Sequence, residues 1–466
     1  MSITLSDVID NLGVGLCQVR LVCIAGGIYA IGGEVLFLFS TLPGAIASEL
    51  DLDPYERASL GSVVFIGVLI GNVACCANDY LGRRLPILGA MLGMLLFSWS
   101  SVFATSFHAF LLLWGLTGIS YGVGVPTWNA LCAETTPTSW RFVLNGISML
   151  AFPLGSLFGA FLVYLYAPDF TSVHEQWRTI LAMGRIPNII FFALGVFPGF
   201  VESAHFLAER GRLQEAKDSL VQMQHQNARE EVSLDFVPQQ KLEKSPAFAP
   251  DILFSTTLWQ TTSVLCLTTF MLNFMGFGSM YSLPHILQSV DLGMSPALSI
   301  VVATFAEVLG YSLGLLLERI SGRRQILLFY LASSVVLTSI FIYGVVTLEA
   351  NGASASGRRL VLIGINGNRL IGAIGWMTAY VCIGEAFPTF ARASASGVCI
   401  GFGRLGSLSA PWVFEHLLLT TGTYLWYFAF TCLGCLINMM LVFSVLHETK
   451  DLTLDELEPL RRSSSH

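Results

Sequence analysis

Along this chain, apolar runs alternate with short polar breaks, and the runs hold almost no charge. About 20 helical residues, at 1.5 Å each, cover the roughly 30 Å hydrocarbon core of a bilayer, so each run predicts a membrane-spanning helix. Twelve spans are predicted, the first six near residues 20–42, 59–79, 85–105, 108–132, 142–166 and 179–201. The second six lie near 257–281, 295–317, 325–348, 360–384, 393–417 and 422–446. The fold class is therefore an all-α membrane protein, with a six-helix bundle over 1–201, a linker over 202–256, a second six-helix bundle over 257–446 and a polar tail over 447–466. Within the linker, residues 206–223 place Leu207, Leu213, Ala216, Leu220 and Met223 near one helical face, with charges opposite. That pattern predicts one amphipathic helix lying under the bundle on the cytoplasmic side. Residues 224–250, with Pro238, Pro246 and Pro250, read as a loose tether.

Composition narrows the picture to this class. The 466 residues are 54% hydrophobic and only 12% charged, about half the charge of an ordinary soluble domain. So few charges cannot coat the surfaces of a soluble protein this long, which excludes a soluble enzyme, a nucleic-acid binder and a disordered chain. The ten cysteines lie almost entirely in apolar runs, including the Cys432/Cys435 pair, and read as small apolar filler. No nucleophile–base arrangement, metal cluster or phosphate-binding glycine loop is legible, so neither an enzyme, a cofactor nor a metal is expected. Lys and Arg placement sets orientation. With both termini cytoplasmic, the inner segments collect Arg83, Arg84, Arg141, Arg210, Arg212, Lys217, Arg323, Arg324 and Arg392, among others. The outer loops then hold only Arg57, Arg178, Arg358 and Arg359.

The chain also repeats itself. Glu134, Pro137, Thr138 and Arg141 form E-x-x-P-T-x-x-R after the fourth span, and Glu385, Pro388, Thr389 and Arg392 form it again after the tenth. At the same offset Gly146 answers Gly397, and 154–157 (LGSL) answers 405–408. Gly82-Arg83-Arg84 and Gly322-Arg323-Arg324 follow the second span of each half. Two parallel six-helix repeats are the arrangement of one large class of secondary transporters. Asp79 lies four residues before Arg83, where a carboxylate can accept from backbone N–H groups at the next helix start and pair with guanidinium groups. Glu134 with Arg141, and Glu385 with Arg392, offer the same at their own helix ends. These residues, with Arg84, Arg323 and Arg324, are candidates for a cytoplasmic gate; static anchoring by interfacial charge is the simpler alternative.

These motifs resemble those of the major facilitator superfamily. Residues 79–84 (DYLGRR) are similar to its loop between helices 2 and 3, with Tyr80 in place of an Arg. Stretches 124–137 (GVPTWNALCAETTP), 304–310 (TFAEVLG), 380–398 (YVCIGEAFPTFARASASGV) and 403–413 (GRLGSLSAPWV) resemble the synaptic-vesicle-protein-related and organic-ion transporters. The segment 200–216 and the tail 447–458 resemble the family's motifs after helices 6 and 12. The resemblance implies a twelve-helix transporter. It also marks departures: Ile31 stands where an acidic residue is common, leaving Glu34, and Trp114 stands where helix 4 commonly has an Arg. The glutamine pairs that sugar porters carry in helix 7 are absent.

Charges at membrane depth cost about 2.5–3.5 kcal/mol on insertion scales and usually face a cavity or a partner. Four stand out as substrate or coupling candidates: Glu34, Glu307, Arg369 and Arg404. Glu34, flanked by Gly32 and Gly33, reads as a lone carboxylate suited to carry a coupling proton. Glu307 and Arg369 are each other's candidate partners, and Arg404 can meet Glu385 or an anionic ligand. Arg185, nearer a helix end, reads as snorkelling. Asn129, Asn273, Tyr281, Trp376 and Tyr380, with Tyr29 and Trp128, are candidates to line a path for an organic ion. Gly67/Gly71, Gly118/Gly122 and Gly310/Gly314 predict close helix crossings.

The expected function is secondary active transport of a small organic solute by alternating access, an organic ion favoured and proton coupling allowed. Alternatives are a sugar or polyol facilitator and a transporter-like protein that senses rather than transports. The expected partners are the solute, protons and the lipid bilayer, without nucleic acid, in a monomer. The plasma membrane is favoured over an internal one.

Overall fold

A computed structural model describes residues 4–75, 81–170, 173–196, 200–236, 253, 255, 258–351, 354–387, 392–446 and 448. Every regular element among them is helical. Helix α1 (Leu5–Leu12) precedes α2 (Leu16–Ile24) and α3 (Gly27–Thr41), which together form the first span, and α4 (Pro43–Leu50) follows. Next come α5 (Pro54–Ala74), α6 (Arg84–Ser100), α7 (Phe107–Thr135), α8 (Arg141–Tyr166), and α9 (Val173–Gly184) with α10 (Ile186–Val196). The linker holds α11 (Ala204–Glu209) and α12 (Leu213–Asn227). The second half holds α13 (Trp259–Ser289), α14 (Pro296–Ile320), α15 (Arg323–Asn351), α16 (Ala355–Ala386), α17 (Arg392–Thr421) and α18 (Leu425–Val445).

Eleven helical segments among the described residues are long and apolar enough to cross a membrane. The twelfth predicted span, 393–417, lies within α17, whose 30 residues suffice for length. Its Ser and Gly content and its charges Arg404 and Glu415 lower its hydropathy. The second span begins earlier than its apolar run because Asp53 and Glu56 cap it: the Glu56 N–H donates to Asp53 Oδ1 at 2.8 Å, and the Asp53 N–H to Glu56 Oε2 at 3.0 Å. That start draws Arg57, read from sequence as a loop residue, into α5.

The described residues pack as two compact units, one drawn from 1–36, 66–159 and 178–245, the other from 37–65, 160–177 and 246–466. The boundary falls within α3, α5, α8 and α9. In the first unit α5 and α7 cross at glycines: a Cβ on Gly67 would stand 2.1 Å from the Gly115 carbonyl oxygen, and one on Gly122 2.3 Å from that of Val68. Only bare backbone allows this approach, as the small-residue spacing predicted. In the second unit, Leu265, Cys266, Leu327, Tyr330, Ala379, Cys382 and Cys399 belong to one apolar core.

The linker corrects one expectation. Instead of a single helix over 206–223, α11 ends at a turn where Gly211 takes φ +76° and the Arg212 N–H donates to the Leu207 carbonyl at 2.9 Å. The left-handed glycine ends α11 and lets the chain restart as α12. Phe206, Leu207, Ala216, Leu220 and Met223 are buried, whereas Leu213, assigned to that face, is 40% exposed. The helix also extends to Asn227, into the predicted tether; residues 237–250 lie outside the described ones. The Asn227 amide donates to the Gly13 carbonyl at 3.2 Å and to Gln18 Oε1 at 2.9 Å, and accepts from the Cys17 N–H at 3.0 Å. This ties α12 to the start of α2.

Candidate functional site

The first charged centre sits on α3. Glu34 is not a lone carboxylate: Arg185 Nη2 donates to its Oε1 at 2.5 Å, and both side chains are sealed at 0–1% exposure. Arg185 does not snorkel because the chain breaks there. With Pro187 two residues on, the Arg185 N–H turns to the Ala182 carbonyl at 3.1 Å, and the Leu181 carbonyl takes the Arg185 Nε at 3.1 Å. The guanidinium is thus fixed between backbone and carboxylate. Gly32 and Gly33 serve packing rather than a ligand, lying against the Tyr121 ring and the Phe152 backbone, and Ser156 Oγ donates to the Gly33 carbonyl at 3.1 Å. Tyr29 OH donates to Asn129 Oδ1 at 3.1 Å in the same unit, where Asn129 is exposed.

In the second unit Glu307 on α14 and Arg369 on α16 do pair, through one contact of 3.3 Å from Nη1 to Oε2. Arg404 differs from both other arginines at this depth. It is only 9% exposed, its Nε finds no acceptor, and no carboxylate pairs with it among the described residues. Glu385, its expected alternative, is held by Arg323 at 3.2 Å. Beside it, Ser407 Oγ donates to Asn273 Oδ1 at 3.1 Å and the Asn273 amide donates to the Thr269 carbonyl at 2.9 Å, joining α17 to α13. On α16, Trp376 stacks on Tyr380 at 5.9 Å between centroids and meets Phe277 edge-on at 5.7 Å. Both Trp376 and Tyr380 are half-buried.

The predicted gate residues form two clusters of like design, each closed within its own unit. In the first, Arg83 Nη2 donates to Glu134 Oε1 at 3.0 Å. Glu202, which the sequence reading did not single out, accepts the N–H groups of Arg83 and Arg84 at 2.9 and 3.1 Å. In the second, Arg323 Nη2 donates to Glu385 Oε1 at 3.2 Å, and Glu448 accepts the Arg323 and Arg324 N–H groups at 2.7 and 3.2 Å. A carboxylate after the sixth or twelfth span therefore meets the orphan donors at the start of α6 or α15. The signal was the Glu202-Ser203 and Glu448-Thr449 dipeptides at corresponding places in the two repeats. Glu134 pairs with Arg83 rather than Arg141, whose Nε donates to the Thr136 carbonyl at 3.2 Å. Asp79 and the Arg392 side chain lie outside the described residues.

Two further residues escaped the sequence reading. Glu415 on α17 is 1% exposed and receives Arg57 Nε on Oε1 at 3.0 Å and Nη2 on Oε2 at 2.6 Å. The predicted Tyr281 donates its OH to Oε1 at 2.7 Å. Tyr281 thus serves an ion pair.

Residues 53–460 match the profile of the family described as "Sugar (and other) transporter". The chain is 27% identical over 424 residues to the 4-hydroxybenzoate transporter PcaK of Pseudomonas putida, covering 90% of each protein. It is 24% identical over 439 residues to the synaptic vesicle 2-related protein of Xenopus laevis, covering 88% of this chain and 75% of that protein. Among solved structures, the xylose transporter XylE from E. coli in a partially occluded inward open conformation superposes with a TM-score of 0.72 at 16% identity, covering 94% of this chain and 99% of that one. The twelve-helix reading, the repeated motifs and the profile over most of the chain agree: this chain belongs to the sugar (and other) transporter family of the major facilitator superfamily, multi-pass membrane transporters of small solutes.

Proposed function

We propose that the chain is a secondary active transporter that moves a small organic acid by alternating access, with Arg404 holding the solute's carboxylate. The observation that carries this reading is the contrast among buried arginines. Arg185 and Arg369 have carboxylate partners and Arg404 has none among the described residues. A desolvated guanidinium without a counter-charge is costly, and an anionic solute supplies the missing partner. The Trp376–Tyr380 stack offers a flat apolar surface for an unsaturated or aromatic body. The PcaK relative's name, a transporter of an aromatic acid, supports the same class. A sugar or polyol is the alternative supported by the family description, but it brings no charge to Arg404. In this reading both termini are cytoplasmic, the two six-helix repeats are the moving halves, the protein works as a monomer, and a co-transported proton drives accumulation at the plasma membrane.

Binding tests the assignment directly. 4-Hydroxybenzoate should raise the thermal unfolding temperature of the purified protein, whereas xylose should not. Arg404→Gln should weaken 4-hydroxybenzoate binding by about 10- to 100-fold, the range for loss of one charge-assisted partner. Stabilisation by xylose but not by the acid would replace this reading with the sugar one.

A further inference from the structure

One end of α5 is fastened to α13 and α17 by contacts that run over three helical turns. At the tip, Tyr55 lies on the Trp412 ring at 5.7 Å, and its OH shares a hydrogen bond with His416 Nδ1 at 3.3 Å. Next comes the Arg57–Glu415 pair with Tyr281. One turn further, Gly61 sits under the Tyr281 ring so closely that a Cβ would come within 2.9 Å of it and 3.7 Å of Pro411. Ser62 Oγ then donates to the Leu408 carbonyl at 2.8 Å, and Phe65 meets Phe277 at 4.6 Å. All these contacts lie within the second unit, yet α5 comes from the first sequence repeat and α13 and α17 from the second.

On α17, Arg404, Leu408, Pro411 and Glu415 are spaced i, i+4, i+7 and i+11, which puts them on one face. Three of the four touch α5. Arg404 follows one turn beyond the last contact, about 16 Å along the helix from Glu415. A solute approaching Arg404 along this face would have to part the α5 contacts at Leu408 and Glu415.

We propose that Arg57, Glu415 and Tyr281 form a latch that shuts the outer end of the path to Arg404 and must open once in each transport cycle. This rests on the transport reading and on cytoplasmic termini, which place the start of α5 outside. The choice of an ion pair suits a contact that must break. Glu415 accepts three hydrogen bonds when shut, and on opening both charges return to water, so much of what is lost in pairing is recovered in hydration. The Arg57 guanidinium, 24% exposed beside a carboxylate at 1%, is already at the water's edge. An apolar contact of the same shape would have no such recovery and would stay shut.

The two kinds of substitution therefore have opposite signs. Glu415→Gln leaves Arg57 without a counter-charge in the shut state only, and should open the latch. Replacing both, Arg57→Met with Glu415→Met, should hold it shut. The exchange Arg57→Glu with Glu415→Arg should restore the parent's behaviour.

The reporter is Ser62→Cys, 2% exposed as serine, labelled from outside by a membrane-impermeant maleimide in liposomes, above the labelling of the protein without it. Glu415→Gln should raise the labelling rate about tenfold, the exchanged pair should return it to the parent rate, and the double Met variant should label no faster than the parent. Should Glu415→Gln fail to fold, Tyr281→Phe, which removes one hydrogen bond, should raise the rate several-fold. Equal rates in the parent and the single variant, or an exchanged pair as fast as Glu415→Gln, would overturn the latch. 4-Hydroxybenzoate binding on the same preparations separates the two readings. Binding with unchanged labelling removes the latch alone, and the expected labelling changes without binding keep it while removing the organic-acid assignment.

Discussion

Taking the carboxylate from Glu34 while leaving Arg185 in place would strand a guanidinium at 0% exposure. Breaking a buried pair in this way costs about 3–5 kcal/mol, a large share of the roughly 5–15 kcal/mol that holds a domain folded. Glu34→Gln is therefore expected to reach the membrane at much lower abundance, and Glu34→Gln with Arg185→Gln to recover most of it, as read by surface expression. Normal abundance of the single variant would show that Arg185 finds another counter-charge. If the recovered double variant keeps pH-dependent uptake, Glu34 leaves the coupling mechanism. Charges inside apolar runs made Glu34, Glu307, Arg369 and Arg404 legible from sequence. The partner of Glu34 was not, because Arg185 lay close to a run's end and its burial depends on the helix break before Pro187. Arg57 and Glu415 went unread because a helix start set by a capping box moved Arg57 out of a loop.

Helix starts and stops decide the elements that matter for movement. The linker helices α11 and α12 hang on Glu202, whose side chain caps α6 while its carbonyl accepts Ser219 Oγ at 2.7 Å. His205 lies in α11, and burial holds it below the ordinary histidine value of 6.5; nearby Arg141 adds to this, and Glu134 and Glu209 oppose it. The folded linker thus resists protonation that the unfolded linker accepts. Its docking is complete above pH 6.5 and weakens as pH falls from there through the lowered folded value. Hydrogen exchange across 204–227 should accelerate on acidification over that window in the parent and lose this response in His205→Asn; an unchanged response in the variant would assign it elsewhere. Hydrophobic periodicity located α11 and α12 but merged them, since only Gly211 at positive φ separates them. The span in α17 was legible as a helix by its length and by its repeat of the first half, although its polar content falls short of a typical span.

For the whole molecule, the duplicated motifs carried most of what the sequence could say. Two clusters of the same design, Arg83 with Glu134 and Glu202, and Arg323 with Glu385 and Glu448, turn that duplication into matching structure. Fold and transport class follow from pattern because length, periodicity and repeat are properties of whole segments. The proposed solute class does not, because it rests on Arg404 having no carboxylate partner among the described residues, and only packing reveals that. The most direct test of the central claim uses purified protein in liposomes, with 4-hydroxybenzoate outside and an inward proton gradient imposed. The account predicts accumulation above the outside concentration, collapse when the gradient is dissipated, and none of it in Arg404→Gln. Folded, inserted protein that passes no acid, or passes it with no response to the gradient, would contradict a proton-driven organic-acid carrier.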